Sequence, residues 1–365
     1  MENKFIYFHS KYCQLMEEII NDNPVNHLLI KVEAAGLCGT DLQILKGIRK
    51  ESTGILGHEG IGTVVNDYNS KNTFFKKGLR VIINPTDKFN SSFLLGHNVP
   101  GLFQQYISIP APAVEDDVII PVDFTLPHKF SSLIEPISVA LHSIDISQQF
   151  IPDKYVIFGG GIIGNLIGLL LNIKYNINSN ISLVHGNMHS KILSETDIVP
   201  YANHYLYDDI LIKKTLENKR VAVFITTPRT ATNHTLEFVL QHTGSNSIIN
   251  IIGGINETTP IENEDISKIF SIRASNICNN INEQKYYIPK KHKNSNEIMI
   301  TGQRGVPNSR LLESISILNA HHLELSKMIT HVVDFNDFSQ FLNLLITSNN
   351  RIIDGKYVLK AAMLH

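Results

Sequence analysis

Tyr155–Gly168, YVIFGGGIIGNLIG, is the stretch on which the reading of this chain turns. Val156–Phe158 are apolar and β-prone, as in a strand buried on both faces. Gly159, Gly161 and Gly164 follow at GxGxxG spacing, with Ile162 and Ile163 between the last two, and Leu166–Leu171 reads as a buried helix. A chain that turns sharply from strand to helix leaves unpaired backbone N–H groups at the helix start. The pyrophosphate of a dinucleotide docks on such groups when glycines let the backbone come close. A lone GxGxxG says little; strand, loop and helix in this order are the context that gives it meaning. The alternative is a glycine-rich buried turn with no ligand.

Beyond this stretch the pattern continues as alternating strand and helix, the mark of a parallel sheet. Strands are expected at Ile181–Val184, Val221–Thr226, Ser247–Gly253 and Glu297–Gly302, with a surface excursion over the Asn- and Lys-rich residues 276–296. The tail reads as a helix at Arg310–Asn319, a strand at His331–Asp334, a helix at Asn336–Thr347 and a last strand at Lys356–Lys360. Before the glycine stretch, His27–Ala34 alternates apolar and polar residues, and short strands with glycine turns follow at 54–65 and 77–84. These suggest a partly open β-barrel. Phe130–His142 fits a helix with a proline near its start. The expected domains are 1–147, 148–302, and a segment 303–365 returning to the first.

Length and composition fit this plan. The 365 residues allow two domains, each with its own core. A formal net charge of −2 gives no reason to expect nucleic acid or a membrane surface as a partner. Cys13, Cys38 and Cys278 lie far apart, which fits a reducing compartment rather than a disulfide framework. The N-terminus lacks the features of a signal peptide. Val156–Ile173, the one stretch with a membrane-like run, is interrupted by five glycines and two asparagines. A soluble cytoplasmic protein is expected.

Cys38, His58 and Glu59 form the second signal. Thiolate, imidazole and carboxylate are donors that Zn²⁺ accepts, and a catalytic zinc keeps one position open. Singly, each has a plainer reading: a small core residue, a surface or core histidine, a solvated glutamate. Their glycine settings, GLCGTD at Gly36–Asp41 and GHEG at Gly57–Gly60, set them apart.

With GHEGIGTV at Gly57–Val64, KGLRV at Lys77–Val81, GLFQQYISIP at Gly101–Pro110, EPISVALHS at Glu135–Ser143 and VIFGGGIIG at Val156–Gly164, the chain resembles the zinc-dependent medium-chain dehydrogenases/reductases, which include alcohol and sorbitol dehydrogenases. The resemblance spans nearly the whole chain. It implies an α/β protein, a GroES-like catalytic barrel joined to a Rossmann doubly wound parallel sheet, with the reaction cleft between them. It also implies that Cys38, His58, Glu59 and Glu135 are the metal ligands. Glu59 would be a direct ligand or stand just behind one, and Glu135 occupies the place where many alcohol dehydrogenases have cysteine, which favours the polyol branch and a harder site. Asp41 would orient His58, and Thr40 would relay the substrate proton. Two departures stand out. Pro85–Gly101, PTDKFNSSFLLGHNVPG, has none of the four cysteines that hold a structural zinc in many members, so one catalytic zinc and no structural one is expected. Gln43 stands where some alcohol dehydrogenases carry a relay histidine.

NAD-preferring Rossmann domains place an acid at the end of the second strand, about 20 residues past the glycines, on the ribose 2′-hydroxyl. Here that segment is HGNMHSK, Gly186 following His185, which holds the acidic position. With no carboxylate to repel a 2′-phosphate, and with Ser190, Lys191 and the histidines as donors, NADP(H) is expected over NAD(H). The alternative is an ordinary polar turn. Thr226, Thr227 and Gly253 are expected along the coenzyme.

The cysteine-poor lobe, EPISVALHS, HGNMHSK and GQRGVPNS at Gly302–Ser309 also resemble ribitol-5-phosphate dehydrogenases (ribulose-5-phosphate reductases). A phosphorylated substrate would need cations, for which Arg49, Arg273 and Arg304 are candidates. The expected activity is hydride transfer between NAD(P)(H) and a polyol, polyol phosphate or ketose. The alternatives are a general alcohol or sugar dehydrogenase of a secondary-metabolite pathway and, from another class, a non-catalytic dinucleotide-binding module. The resemblance implies a homodimer or homotetramer.

Overall fold

The computed structural model describes residues 1–207, 209–218, 220–289 and 298–365. It divides into two compact units, one formed by Met1–Pro136 with Leu311–His365, the other by Ile137–Arg310.

The second unit is built on six parallel strands. In spatial order they are Asn203–Leu206, Ile181–His185, Lys154–Phe158, Val221–Ile225, Ser247–Ile251 and Ile298–Gly302. Numbered along the chain this is 3-2-1-4-5-6, the doubly wound order in which the strand sequence reverses beside the first strand. Four of the strands are nearly continuous apolar runs, as burial on both faces requires. Every residue of Val221–Ile225 and of Ser247–Ile251 is buried. Val156, Phe158, Val223, Ile225, Ile249 and Ile300 belong to one core cluster. The edge strand Asn203–Leu206 is short, polar and only partly buried, and its sequence has no period to read.

In the first unit a seven-stranded sheet runs Ile329–Asp334, Lys360–Leu364, His27–Gly36, Glu59–Val64, Arg80–Ile83, Ile119–Pro121, with Tyr106–Pro110 also paired to His27–Gly36. Strand Glu59–Val64 leaves no room for side chains at two glycines that face strand His27–Gly36. A Cβ on Gly60 would lie 2.3 Å from the Ala34 carbonyl oxygen, and one on Gly62 would lie 2.6 Å from that of Lys31. The glycines of GHEGIG are thus a packing requirement as well as a turn.

Several expected boundaries shift. The helix expected over Phe130–His142 is a 3₁₀ turn at His128–Leu133 followed by an α-helix at Ile134–Gln148. The helix expected over Arg310–Asn319 starts at Asn308, and past a kink at His321 further helical turns reach Ser326. The last strand is Lys360–Leu364, because Asp354 and Gly355, both at positive φ, turn Lys356–Tyr357 back onto Ile352–Ile353 as a small hairpin. Of the excursion expected over 276–296, residues 290–296 lie outside the described residues, as does Glu297.

Candidate metal centre and dinucleotide loop

Three strands of the first unit deliver the metal-competent side chains to one place. Antiparallel pairing sets Gly36 opposite Glu59 and opposite Ala362 on its other side. Cys38 lies just beyond the end of one strand, His58 just before the start of the next, and Lys360 opens the third. One donor atom from each of Cys38, His58 and Glu59 lies within 4.8 Å of the others, and among the described residues this is the one such group of histidine, cysteine and acidic side chains.

Cys38 caps the helix Gly39–Leu45. Its Sγ accepts from the Thr40 N–H at 3.5 Å, while its own N–H donates to Asp41 Oδ2 at 2.9 Å. This reciprocal cap fixes the thiol at the helix N-terminus, where the helix dipole favours a thiolate. Asp41 is fully buried and ties the two halves of the site together. Its Oδ1 accepts from the Gly57 N–H at 3.4 Å and lies 3.5 Å from His58 Nδ1, an ion-pair distance rather than a hydrogen bond. Thr40 Oγ1 lies 3.7 Å from Cys38 Sγ.

Glu59 is 1% exposed and ion-paired through Oε2 to Lys360, which is itself fully buried. The other carboxylate oxygen, Oε1, is buried with no hydrogen-bond partner. Gly36 leaves room for this pair, since a Cβ there would lie 2.8 Å from Glu59 Oε2 and from Lys360 Nζ. The sequence marks neither the ion pair nor its lysine: a Lys in an apolar final strand reads as a strand-end charge.

So many ionisable groups in a dry space shift one another. Burial, then Glu59, pushes the Cys38 thiol up, against the pull of His58. Burial depresses His58, but Asp41 and Cys38 outweigh it and hold the imidazole well above its ordinary value. Asp41 is held below the usual carboxylate range because His58 and the Cys38 N–H outweigh its burial. Glu135 does not join the three-residue group, but its carboxyl feels Glu59, His58, Lys360 and Asp41; burial first and Glu59 second push it up to about 7. A mutually opposed set of donors, with an orphaned carboxylate oxygen at its centre, fits a divalent cation.

His97, not singled out from the sequence, has its ring 5.1 Å from that of His58, and its Nδ1 lies 3.3 Å from Glu51 Oε1. Glu51 also pairs with Arg49, so that phosphate candidate is engaged. Residues 85–101 are held by hydrogen bonds and core side chains. Asp87 Oδ1 accepts from the Phe89 and Asn90 N–H groups at 2.8 and 3.1 Å, and Phe93 and Leu95 are buried.

In the second unit the glycine loop joins strand Lys154–Phe158 to helix Ile162–Ile173. Gly159 has φ +113°, and a Cβ on Gly164 would lie 1.9 Å from the Gly159 carbonyl oxygen. Gly161, by contrast, faces open space, and the helix it starts has no side-chain cap. Uncapped N–H groups beside an open glycine fit a dinucleotide pyrophosphate. Ile162 is buried and Ile163 half-buried at the first helical positions. Asn165, another residue the pattern alone does not mark, donates to the carbonyls of Gly160 and Gly161, both at 3.0 Å. Thr226 also serves the loop: its hydroxyl lies 2.9 and 3.0 Å from the Phe158 and Gly159 carbonyls. Gly253 lets its own chain pass, a Cβ there lying 2.4 Å from the Thr227 carbonyl oxygen.

The donors expected for a 2′-phosphate differ in their surroundings. His185 and Ser190 are buried, and burial first, then His204, pushes His185 down to about 4, so it is neutral. Lys191 is ion-paired to Glu195 at 2.8 Å. Gly186 and His189 are exposed. Of the arginines considered for a substrate phosphate, Arg273 donates to the Ile252 carbonyl at 3.3 Å, and the backbone of Arg304 is tied by its N–H to the Asn276 carbonyl at 2.8 Å.

Residues 24–117 match the alcohol dehydrogenase GroES-like domain. A zinc-type alcohol dehydrogenase-like protein of Haemophilus influenzae is 30% identical over 155 residues, 38% of this chain and 44% of that protein. The sorbitol dehydrogenase of Bacillus subtilis is 30% identical over 162 residues, with the same two shares. The chain thus spans less than half the length of these curated relatives. The structure of a short chain alcohol dehydrogenase of Escherichia coli complexed with NADH matches the fold with a TM-score of 0.74 at 18% identity, covering 100% of this chain and 99% of that one. Residues 24–117 thus form an alcohol dehydrogenase GroES-like domain, and the whole chain shares the fold of that alcohol dehydrogenase, glycine loop and 3-2-1-4-5-6 parallel sheet included.

Proposed function

We propose that the protein is a zinc-dependent dehydrogenase that moves a hydride between a nicotinamide dinucleotide and a polyol, a polyol phosphate or the corresponding ketose. The observation that carries this reading is the Cys38–His58–Glu59 group, with its unpaired Glu59 Oε1. A structural or purely nucleotide-holding domain has no use for an orphaned buried carboxylate beside a thiol and an imidazole.

In this reading Cys38, His58 and Glu59 hold the ion, and Glu135 completes or backs the set. Zinc, when bound, supplies Lewis-acid polarisation of the substrate oxygen and lowers the pKa of an alcohol towards neutrality. Asp41 holds the His58 ring and the Cys38 helix start in one frame. The Thr40 hydroxyl, next to the thiol, accepts the alcohol proton and passes its own onward. Gly161 and the N–H groups of the helix start bind the pyrophosphate, with Asn165 and Thr226 keeping the loop in shape. Likeness to sorbitol dehydrogenase supports the polyol class; the phosphate is supported only by the sequence resemblance. Cytoplasmic location and homo-oligomeric assembly are likewise proposed on the family likeness; no helix among the described residues is long and apolar enough to cross a membrane.

The test is metal content and turnover together. Purified protein should hold about one zinc per chain and oxidise polyols or reduce ketoses with a nicotinamide dinucleotide. Cys38→Ala should lose the metal and at least 100-fold in turnover while still binding dinucleotide. Undiminished turnover in that variant would remove zinc from the mechanism.

A further inference from the structure

In the first unit the cysteine-free loop Pro85–Gly101 meets the turn after helix Ala111–Glu115 through two carboxyl groups. Ile83 pairs with Ile119, and the Asn84 N–H donates to the Val118 carbonyl at 2.7 Å, so Asp87 and Asp116 come together just past the end of this ladder. Asp87 is 1% exposed. Its Oδ1 is taken by the N–H groups of Phe89 and Asn90. Its Oδ2 is buried and has no hydrogen-bond partner among the described residues. The Asp116 carboxyl lies within hydrogen-bonding reach of the Asp87 carboxyl, but an ionised carboxylate has no proton to offer it. Burial first and Asp87 second push Asp116 up, and Lys71 pulls it down by less. Glu115 adds negative charge beside the pair, with Oε2 accepting from the Lys71 N–H at 2.9 Å.

We propose that Asp87 and Asp116 bind a hard divalent cation, Mg²⁺ or Ca²⁺, which fastens the loop 85–101 to the turn after helix Ala111–Glu115. Two carboxylates in contact, one of them dry, need positive charge shared between them, either a proton or a metal ion. A shared proton would have to be kept at neutral pH by a carboxyl that is half in water. Asp116 is only half-buried and Asp117 beside it is exposed, so an ion reaches the pair from solvent as the Asp116 side chain swings, and keeps water on its open side. Two oxygens that ligate one such ion lie about 3 Å apart, the spacing of a hydrogen-bonding contact, so the pair needs little rearrangement. Oxygen donors without sulfur or imidazole suit a hard ion rather than zinc. The loop runs on to His97, whose ring stands against His58, so the ion braces one wall of the metal centre. The proposal does not depend on the dehydrogenase reading.

Calorimetric titration and thermal unfolding of the full-length protein at pH 7.5, dialysed free of calcium and magnesium, test this. The probes are MgCl₂ and CaCl₂, each at constant ionic strength. Wild type should bind about one ion per chain with a Kd of roughly 0.1–1 mM, the range of weak carboxylate sites. The tighter ion at about 5 mM should raise the unfolding midpoint by about 2 °C or more. Asp116→Asn keeps the size of the side chain and offers Asp87 Oδ2 an N–H donor. It should unfold at a higher temperature than wild type in ion-free buffer and gain less than about 0.5 °C from either salt. Asp116→Ala, a second variant, should also lose the binding. No binding of either ion by wild type leaves a shared proton between the carboxyls and overturns the proposal. Equal binding by wild type and by both variants overturns it too, and either failure leaves the dehydrogenase reading intact. The titration of wild type stands even if a variant fails to fold.

Discussion

Lys360 and Glu59 form an ion pair in the interior of the first unit, with 0% and 1% of their side chains exposed. Lys360 Nζ also donates to the Leu37 carbonyl at 3.3 Å. Charges this deep lose most of their hydration, and removing one partner strands the other at a cost of about 3–5 kcal/mol. Lys360→Met is expected to lower the stability of the metal-free protein by that order. A divalent cation in the Cys38–His58–Glu59 group brings positive charge to the same carboxylate. Thermal unfolding in chelator and in added zinc separates the two effects: the variant should gain more from zinc than wild type gains. Equal gains in both chains would mean that Glu59 does not face the metal.

Asp41 offers a second handle on the same centre. It contacts the proposed ligands from behind, through the Cys38 N–H and the His58 ring. Outer partners of this kind contribute roughly 10- to 100-fold in metal affinity. Asp41→Asn keeps a carbonyl oxygen that can accept from Cys38 but loses the charge beside His58. Zinc affinity, measured by competition with a chromogenic chelator, should fall within that range, and Asp41→Ala should fall further because the helix cap goes too. An Asp41→Asn variant with wild-type affinity would reduce Asp41 to a helix cap.

The glycine loop allows a cleaner separation of fold from binding. Gly164→Ala drives a methyl to 1.9 Å from the Gly159 carbonyl oxygen, so stability and dinucleotide affinity should drop together. Gly161→Ala meets nothing within 4 Å. Its unfolding midpoint should stay within about 2 °C of wild type, consistent with an ordinary small substitution. Its dinucleotide affinity should still fall at least tenfold, because the methyl stands where the pyrophosphate would approach. Unchanged affinity in Gly161→Ala would move the ligand off this loop.

How much of this is legible in the sequence follows from what each residue's neighbours along the chain can report. The buried strands announce themselves, because Val221–Ile225 and Ser247–Ile251 are short apolar runs between turns. Cys38 and Asp41 sit in one reciprocal helix cap, three residues apart, so their local pattern carries meaning. Lys360 is 301 residues from Glu59, and only antiparallel register brings it there; nothing near it in sequence marks it. Asn165 looks like a flaw in an apolar helix until its bonds to Gly160 and Gly161 are seen. The polar HGNMHSK segment hides its burial in the opposite way. Composition shows a run of polar side chains, but only folding shows that His185 and Ser190 are buried and that Lys191 pairs with Glu195.

The last prediction concerns acid. Burial, as the first cause, pushes His142, His185 and His365 each down to about 4, aided by Arg310 at His142 and by His204 at His185. In the unfolded chain these rings titrate near 6.5. Above that pH they are neutral in both states and stability is at its plateau. As pH falls from about 6.5 towards 4, the unfolded chain takes up protons that the folded one refuses, so stability is lost through this window and levels off below it. Each ring contributes at most roughly 3 kcal/mol, since a tenfold change in proton affinity between the two states is worth about 1.4 kcal/mol. Urea unfolding of the metal-free protein at pH 7.5, 6.0 and 5.0 should show a falling midpoint. His142→Gln should flatten that fall, since this ring has neither nitrogen hydrogen-bonded and sits fully buried. A variant with the full wild-type slope would mean that His142 takes up its proton in the folded state as readily as it does in the unfolded chain.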